Sequence, residues 1–347
     1  MRIALICPSN MFYMPYVSNY LKIIDKTDIE YNLIIWNRLN ISENIKGYIY
    51  TDKKVKFSRN YFDYMQFCDF IISHLEKDRY DRIIVFTMQI GHFLKKYLIE
   101  NYSGEYILDI RDYNRIYAFS NFQPLVNHSF FTTISSFAYK TWLPKSNKYI
   151  VNHNTAIDSI VGFTPINSSD ESKRVIATIG VLSDLAIMRA FVNEFGNSSK
   201  FDLKFYGDGI LAKKLNEYVE EKGYLNISFY GRYRRADEEG FFNNADIICA
   251  LRRKNTVNLR TALPNKLYNA VIYGKPLLAL EGTYLSQQIQ KYNLGFVAET
   301  LDNLEDSINR YLDLFNQDEY AKSRIDFLET VIKENQIFED SLIAFFQ

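Results

Sequence analysis

Five basic residues fall within the stretch RRKNTVNLRTALPNK: Arg252, Arg253, Lys254, Arg260 and Lys266. The last of them follows Pro264-Asn265, where an apolar run with helical spacing begins. That run stops at Gly274-Lys275-Pro276, just ahead of the strand-like LLAL. A helix start presents unbonded N–H groups and positive dipole character, so an acidic side chain would balance it best. A lysine there adds to the positive field instead, and the combination suits a phosphate or carboxylate. Arg260 and Arg252 stand close enough in sequence to help, and Asn265 is placed to cap the helix or touch the ligand. The alternative is a basic loop that merely lies in solvent.

Other candidates sit where strands are expected to end. Gly180-Val181, Gly207-Asp208-Gly209, Gly231-Arg232-Tyr233 and Glu281-Gly282-Thr283 each follow an apolar run, and glycine there permits a tight turn or a close approach to the backbone. None of these forms a GxGxxG or a Walker loop. In the first half of the chain Asp109, Arg111 and Asp112 cluster after YILDI. They read either as an internal ion-pair network or as a carboxylate, Asp112, able to take a proton or face a developing positive charge. Of the four histidines, His128 and His153 stand nearer expected strand ends than His74 or His92. No His/Cys/Asp spacing suggests a metal site.

These positions need a frame that gathers strand ends, and the patterning supplies one. RIALICPS, YNLIIWNR, RIIVFTM, EYILDIRD, FTTISS and KYIVNHN read as strands, with helices expected over 60–77 and 91–102. A polar stretch at 164–173 reads as a linker. Strands then resume with RVIATIG, FDLKFYGDG, ISFYGRY, ADIICAL, KPLLALEG and LGFVAET, with helices near 184–195, 210–222, 236–244, 265–273 and 283–292 and a long one near 318–345. Apolar strands alternating with helices predict parallel sheets in two α/β domains, and in such sheets ligands bind beyond the carboxyl ends of the strands. The 347 residues suffice for two cores at 47% hydrophobic content. Lys plus Arg equals Asp plus Glu at 41 each, which gives no support to a general nucleic-acid binder. Cys7, Cys68 and Cys249 each sit in an apolar run and are expected to be buried, reduced thiols of a cytoplasmic protein. No run is long enough to cross a bilayer, and the first residues read as a strand and not as a signal peptide.

Several segments resemble GT-B glycosyltransferases, in particular bacterial polysaccharide enzymes of glycosyltransferase family 4. They are FYGDGI (205–210), NISFYGRY (226–233), NNADIICAL (243–251) and above all LPNKLYNAVIYGKPLLAL (263–280), joined by LDIRDY, TISS and VNHN in the first half. The resemblance implies an α/β GT-B fold of two Rossmann-like domains facing across a cleft. The first would span 1–163 and hold the acceptor. The second would span 174–325 and hold a nucleotide-sugar donor, and a final helix at 326–347 would cross back to the first.

By the same resemblance Lys266 and Arg260 would meet the donor diphosphate, with Asp112 near the reacting centre. Gly180, Gly207, Arg232, Tyr233, Arg252, Asn265, Asn269 and Glu281 would contact the rest of the donor. The chain departs from the family's pattern at three places. Val181 stands where an arginine is common, Asn269 where a ribose-facing glutamate is common, and Thr261 near the place of a sugar-facing glutamate.

The implied activity is metal-independent, retaining transfer of a sugar to a bacterial surface glycan, with a UDP- or GDP-sugar as substrate and no cofactor. An acceptor on a lipid carrier, or contact with the cytoplasmic membrane face, would involve PSNMFYMPYVSNY (8–20) and lysines 95, 96, 140, 145 and 148. Two rival readings use the same donor site: a nucleotide-sugar epimerase, and a non-catalytic partner subunit that kept donor binding.

Overall fold

The computed structural model describes residues 1–54, 58–155, 157, 173–182 and 184–347. All but Lys173 of the stretch read as a linker lies outside them. The chain forms two compact units, Met1–Ala156 with Lys333–Gln347, and Ile157–Ile332.

In chain order the first unit runs β1 (Arg2–Cys7), α1 (Val17–Ile24), β2 (Glu30–Asn37), β3 (Gly47–Thr51), α2 (Tyr61–Asp78), β4 (Arg82–Phe86), α3 (Met88–Phe93), α4 (Lys95–Asn101), β5 (Tyr106–Ile110), α5 (Gln123–His128), β6 (Phe131–Ile134) and β7 (Tyr149–Val151). Its seven strands are all parallel, in the order β3-β2-β1-β4-β5-β6-β7. Ile3 through Cys7 are buried without a gap, so both faces of β1 are covered, as continuous apolar strands require. α2 starts on a reciprocal cap: Asn60 accepts from the Asp63 amide and Asp63 accepts from the Asn60 amide.

The second unit continues with β8 (Arg174–Ile179), α6 (Leu185–Phe195), β9 (Phe201–Tyr206), α7 (Ile210–Lys222), β10 (Ile227–Gly231), α8 (Glu238–Asn243), β11 (Ile247–Cys249), α9 (Val257–Thr261), α10 (Asn265–Ile272), β12 (Leu277–Leu280), α11 (Tyr284–Lys291), β13 (Gly295–Ala298) and α12 (Leu304–Asp313). The long α13 (Gln317–Phe345) follows. Its first part belongs to the second unit and its last part, from Lys333, to the first. The six strands are parallel, in the order β10-β9-β8-β11-β12-β13.

Strand alternation splits this core in two. Ile176, Leu203, Ile247 and Leu278 face a layer with α6, α7 and α12. Ala177, Ile248 and Leu277 face α10, α11 and the Phe327–Val331 turn of α13. Each unit is thus a Rossmann-like parallel sheet whose order reverses at one point, between β1 and β4 in the first and between β8 and β11 in the second.

The sequence reading missed or misplaced several local features. GYIYT is the edge strand β3, and its alternation of exposed and half-buried residues hides it from a search for apolar runs. The Val17–Ile24 segment, assigned no helix from the sequence, is α1, anchored by buried Val17, Tyr20, Ile23 and Ile24. The helix expected over 91–102 begins at Met88 and breaks at Leu94 into α3 and α4. The basic loop contains α9, whose start is capped by the Thr256 hydroxyl. The three thiols are buried as expected, two in the first unit and Cys249 in the second.

Candidate functional site

Where the order of a parallel sheet reverses, neighbouring loops leave in opposite directions and open a crevice at the carboxyl ends of the strands. In the second unit that edge begins at Gly180 and Gly207, with φ of +97° and +144°. Gly180 N donates to Tyr206 O at 2.8 Å and Gly207 N to Gly231 O at 2.9 Å. A Cβ on Gly207 would stand 2.3 Å from the Gly180 carbonyl oxygen. The close approach that demands glycine at 207 is therefore between two stretches of the protein's own backbone, where the sequence suggested a ligand. Val181, next along, is 80% exposed.

Across the switch point, α10 brings Lys266 to the end of β11. Its N-cap is Pro264, with φ −78° and ψ 151°, so Asn265 is the first helical residue and not the cap. Proline has no polar side chain to offer, and α10 lacks the side-chain cap that α6, α9 and α11 possess. Asn265 and Lys266 consequently hold amides with no acceptor in their own helix. The Lys266 side chain is half-buried and reaches Cys249 O at a long 3.4 Å, and it forms no ion pair among the described residues. Burial holds its ammonium below the ordinary lysine range; the nearby Cys249 works against that and Arg252 adds to it. An ammonium placed so is stabilised by an incoming anion.

The rest of the basic segment divides. Arg253 is spent on Asp184, the N-cap of α6. Arg252 donates to Ala262 O at 2.6 Å while remaining close enough to act on Lys266. Arg260 is exposed on α9, and Lys254 lays the end of its side chain over Gly282. Glu281 is exposed at the end of β12 and Arg232 beyond β10. Thr261 turns its hydroxyl back to Val257 O within α9. A cavity of about 500 Å³ elsewhere in this unit, lined by Phe296, Arg310, Tyr311 and Phe315 among others, contains none of the candidate residues.

One residue absent from the sequence reading joins the site. Glu238, the first residue of α8, accepts from the Tyr233 hydroxyl at 3.0 Å through Oε1 and from Asn269 Nδ2 at 3.2 Å through Oε2. Tyr233 is held in turn edge-on against Phe241, which stacks on Tyr206 at 4.0 Å. Acid in the first turn of α8 was the available signal, but the partnership with Asn269 spans 31 residues of sequence.

In the first unit Asp109 and Arg111 form the internal network that one reading anticipated. The guanidinium binds both Asp109 oxygens at 2.6 Å and also donates to Asn152 and Asn154. Tyr20 donates to Asp109 at 2.5 Å. Asp112 stands outside this network. It is exposed as a residue, yet the protein packed around its carboxyl pushes the pKa up to about 6 by desolvation, against the lowering effect of Arg111.

Of the two histidines nearer strand ends, His153 Nε2 lies 2.6 Å from Glu334 and His128 Nδ1 2.8 Å from Ser103 Oγ. In the 8–20 segment Met14 is buried, whereas Phe12 is 73% exposed. Lys95 and Lys148 spend their ammonium groups on backbone carbonyls. Among the described residues no group of three or more His, Cys, Asp or Glu could hold a metal, and no helix is long and apolar enough to cross a membrane.

No protein-family model matches the chain, and no curated protein matches it in sequence. Solved structures do match, along almost the whole length. The lipopolysaccharide outer core galactosyltransferase WaaB, in its apo form, superposes with a TM-score of 0.71 at 14% identity, covering 99% of each chain. Anabaena HepE in complex with UDP and glucose gives 0.66 at 12%, covering 99% of this chain and 100% of its own. The UDP-GlcNAc 2-epimerase of Neisseria meningitidis bound to UDP-GlcNAc gives 0.63 at 12%, with the same coverage.

The fold is GT-B. At these identities the shared property is the fold, and both a transferase and an epimerase have it. Within this GT-B chain the second sheet's switch point gathers Gly180, Gly207, Arg252 and Lys266 at one edge, with Tyr233, Glu238 and Asn269 joined one helical turn away along α10.

Proposed function

We propose that the protein is a glycosyltransferase that moves a sugar from a nucleoside-diphosphate donor, UDP- or GDP-linked, to a growing bacterial surface glycan such as a capsule, O-antigen or exopolysaccharide, with retention of anomeric configuration. The observation that carries this reading is Lys266, a half-buried ammonium with no ion pair among the described residues, in the uncapped first turn of α10. A diphosphate satisfies at once the ammonium, the two free amides and the helix dipole.

In the reaction the bond between the sugar's anomeric carbon and the diphosphate oxygen breaks while the acceptor oxygen bonds to that carbon. Lys266, helped by Arg260, stabilises the negative charge that grows on the departing diphosphate. Such preorganised charge is the largest single term in many transfers of this kind. Asp112, in its ionised form, takes the acceptor proton or faces the positive charge building on the sugar. The reaction needs no metal in this scheme, and the enzyme works in the cytoplasm, with exposed Phe12 and Tyr13 meeting a lipid-linked acceptor at the membrane face.

The test is release of nucleoside diphosphate from a panel of UDP- and GDP-sugars in the presence of a glycolipid fraction, with the product's anomeric configuration read by NMR. Transfer should persist in EDTA. Its rate should fall as pH drops below about 6, where Asp112 takes up a proton, and that limb should vanish in Asp112→Asn along with most of the turnover. The GT-B fold of the Neisseria epimerase supports a second reading, nucleotide-sugar epimerisation. Conversion of a donor incubated without acceptor would favour it, and absence of any diphosphate release would sink the transfer reading.

A further inference from the structure

Glu238 is a half-buried carboxylate with no ion pair among the described residues. Its hydrogen-bond partners among the described residues are two neutral donors, one on each oxygen. A carboxylate oxygen can accept more than one hydrogen bond, so both oxygens retain capacity. What should fill it follows from position. Asn269 lies three residues after Lys266, on the same face of α10 and about 4.5 Å further along the axis. Glu238 is bonded to Asn269, so an anionic carboxylate and a cationic ammonium stand one helical turn apart. The pair orients a ligand: phosphate is drawn to Lys266 and repelled from Glu238, and the group beyond the phosphate must be neutral and rich in hydroxyl donors. The ribose of a nucleotide, carrying vicinal hydroxyls a few bonds from its phosphates, has that chemistry.

We infer that Glu238, reaching in from the start of α8 and fixed by Tyr233 and Asn269, is the acceptor for the ribose diol of the bound nucleotide. The inference rests on the proposed function for the presence of a nucleotide, and adds the residue that reads its sugar. α8 thereby supplies the carboxylate that α10 lacks at Asn269, and Asn269 serves to hold it. The edge-on contact of Tyr233 with Phe241, and the Phe241–Tyr206–Tyr230 stack behind it, keep the phenol that positions Oε1 in place.

The test compares binding of UDP, GDP, CDP and ADP with that of their 2′,3′-dideoxy counterparts. These probes carry no hexose, so any difference belongs to the ribose. For whichever base binds, the native protein should prefer the ribonucleotide on the order of 10- to 100-fold, the loss expected when a charged acceptor misses its donors. Glu238→Gln should bring the two within about 3-fold of each other. Adding Asn269→Glu to that variant, which returns a carboxylate to the same spot from α10, should restore the preference. A purely structural Glu238 would not show that rescue.

A folded Glu238→Gln protein with an undiminished preference for ribonucleotide overturns the inference and leaves the proposed function standing. So does a native protein that binds both forms equally. A native protein that binds none of the eight nucleotides overturns both.

Discussion

Lys266→Met leaves the unliganded protein as stable as the native chain, or more so, and strips it of stabilisation by nucleoside diphosphates. The sign follows from the lowered pKa of the ammonium. The unfolded chain binds the proton more tightly than the folded one, so at neutral pH the charged form works against folding. Native stability should therefore rise as pH climbs from the depressed folded value toward the unfolded value. A nucleotide at 100 times its dissociation constant should add about 2.7 kcal/mol to the native protein. In the variant a loss of one charge-assisted contact weakens binding by about 1.5–3 kcal/mol, enough to remove most of that gain. Turnover should fall about 100- to 1,000-fold, the usual effect of deleting one donor to a developing anion. Thermal unfolding with and without UDP and GDP, beside a turnover assay, checks both halves. Equal stabilisation of variant and native protein would remove Lys266 from the site.

Arg111→Met is expected to have the largest effect on folding. Asp109 is fully buried and Arg111 nearly so, and the guanidinium binds both carboxylate oxygens. Burial alone would lower the arginine's pKa, but the charge and hydrogen bonds of Asp109 hold it above the ordinary value. Removing one partner strands the other without water, which costs about 3–5 kcal/mol. Asp109→Leu combined with Arg111→Met should cost less than the sum of the single changes, because neither charge is then left alone. Both tryptophans, Trp36 and Trp142, lie in the first unit, so urea unfolding followed by tryptophan fluorescence reads the effect where it occurs. A single-variant loss under about 1 kcal/mol would mean that the pair is hydrated in solution.

The architecture was legible because parallel strands are buried on both sides and so appear as unbroken apolar runs. IALIC (3–7) and IIVF (83–86) could hardly be read otherwise. β3 escaped because an edge strand meets solvent on one side, and α1 because the segment 8–20, which holds its first half, drew attention as an acceptor or membrane contact. At the site, Lys266 stood out because a lysine in a helix's first turn is a local contradiction, visible within five residues. Pairings across long sequence gaps left no such mark. Nothing near Arg253 reveals that Asp184 will occupy it, and nothing near Asn269 points to Glu238. Asn265 failed as a cap for a local reason: Pro264, with fixed φ and no N–H, already holds the position before the first helical residue.

The buried thiols give each unit its own clock. Cys7 and Cys68 lie in the first unit and Cys249 in the second, all within the core. Desolvation raises their pKa values, that of Cys68 up to about 12, so an alkylating reagent finds little thiolate until the surrounding structure opens. Peptide-resolved alkylation then times the opening of the two halves separately, in one sample and with no introduced label. Because the Cys249 carbonyl also receives Lys266, an anion bound there should slow the second unit's clock while Cys7 and Cys68 keep their pace.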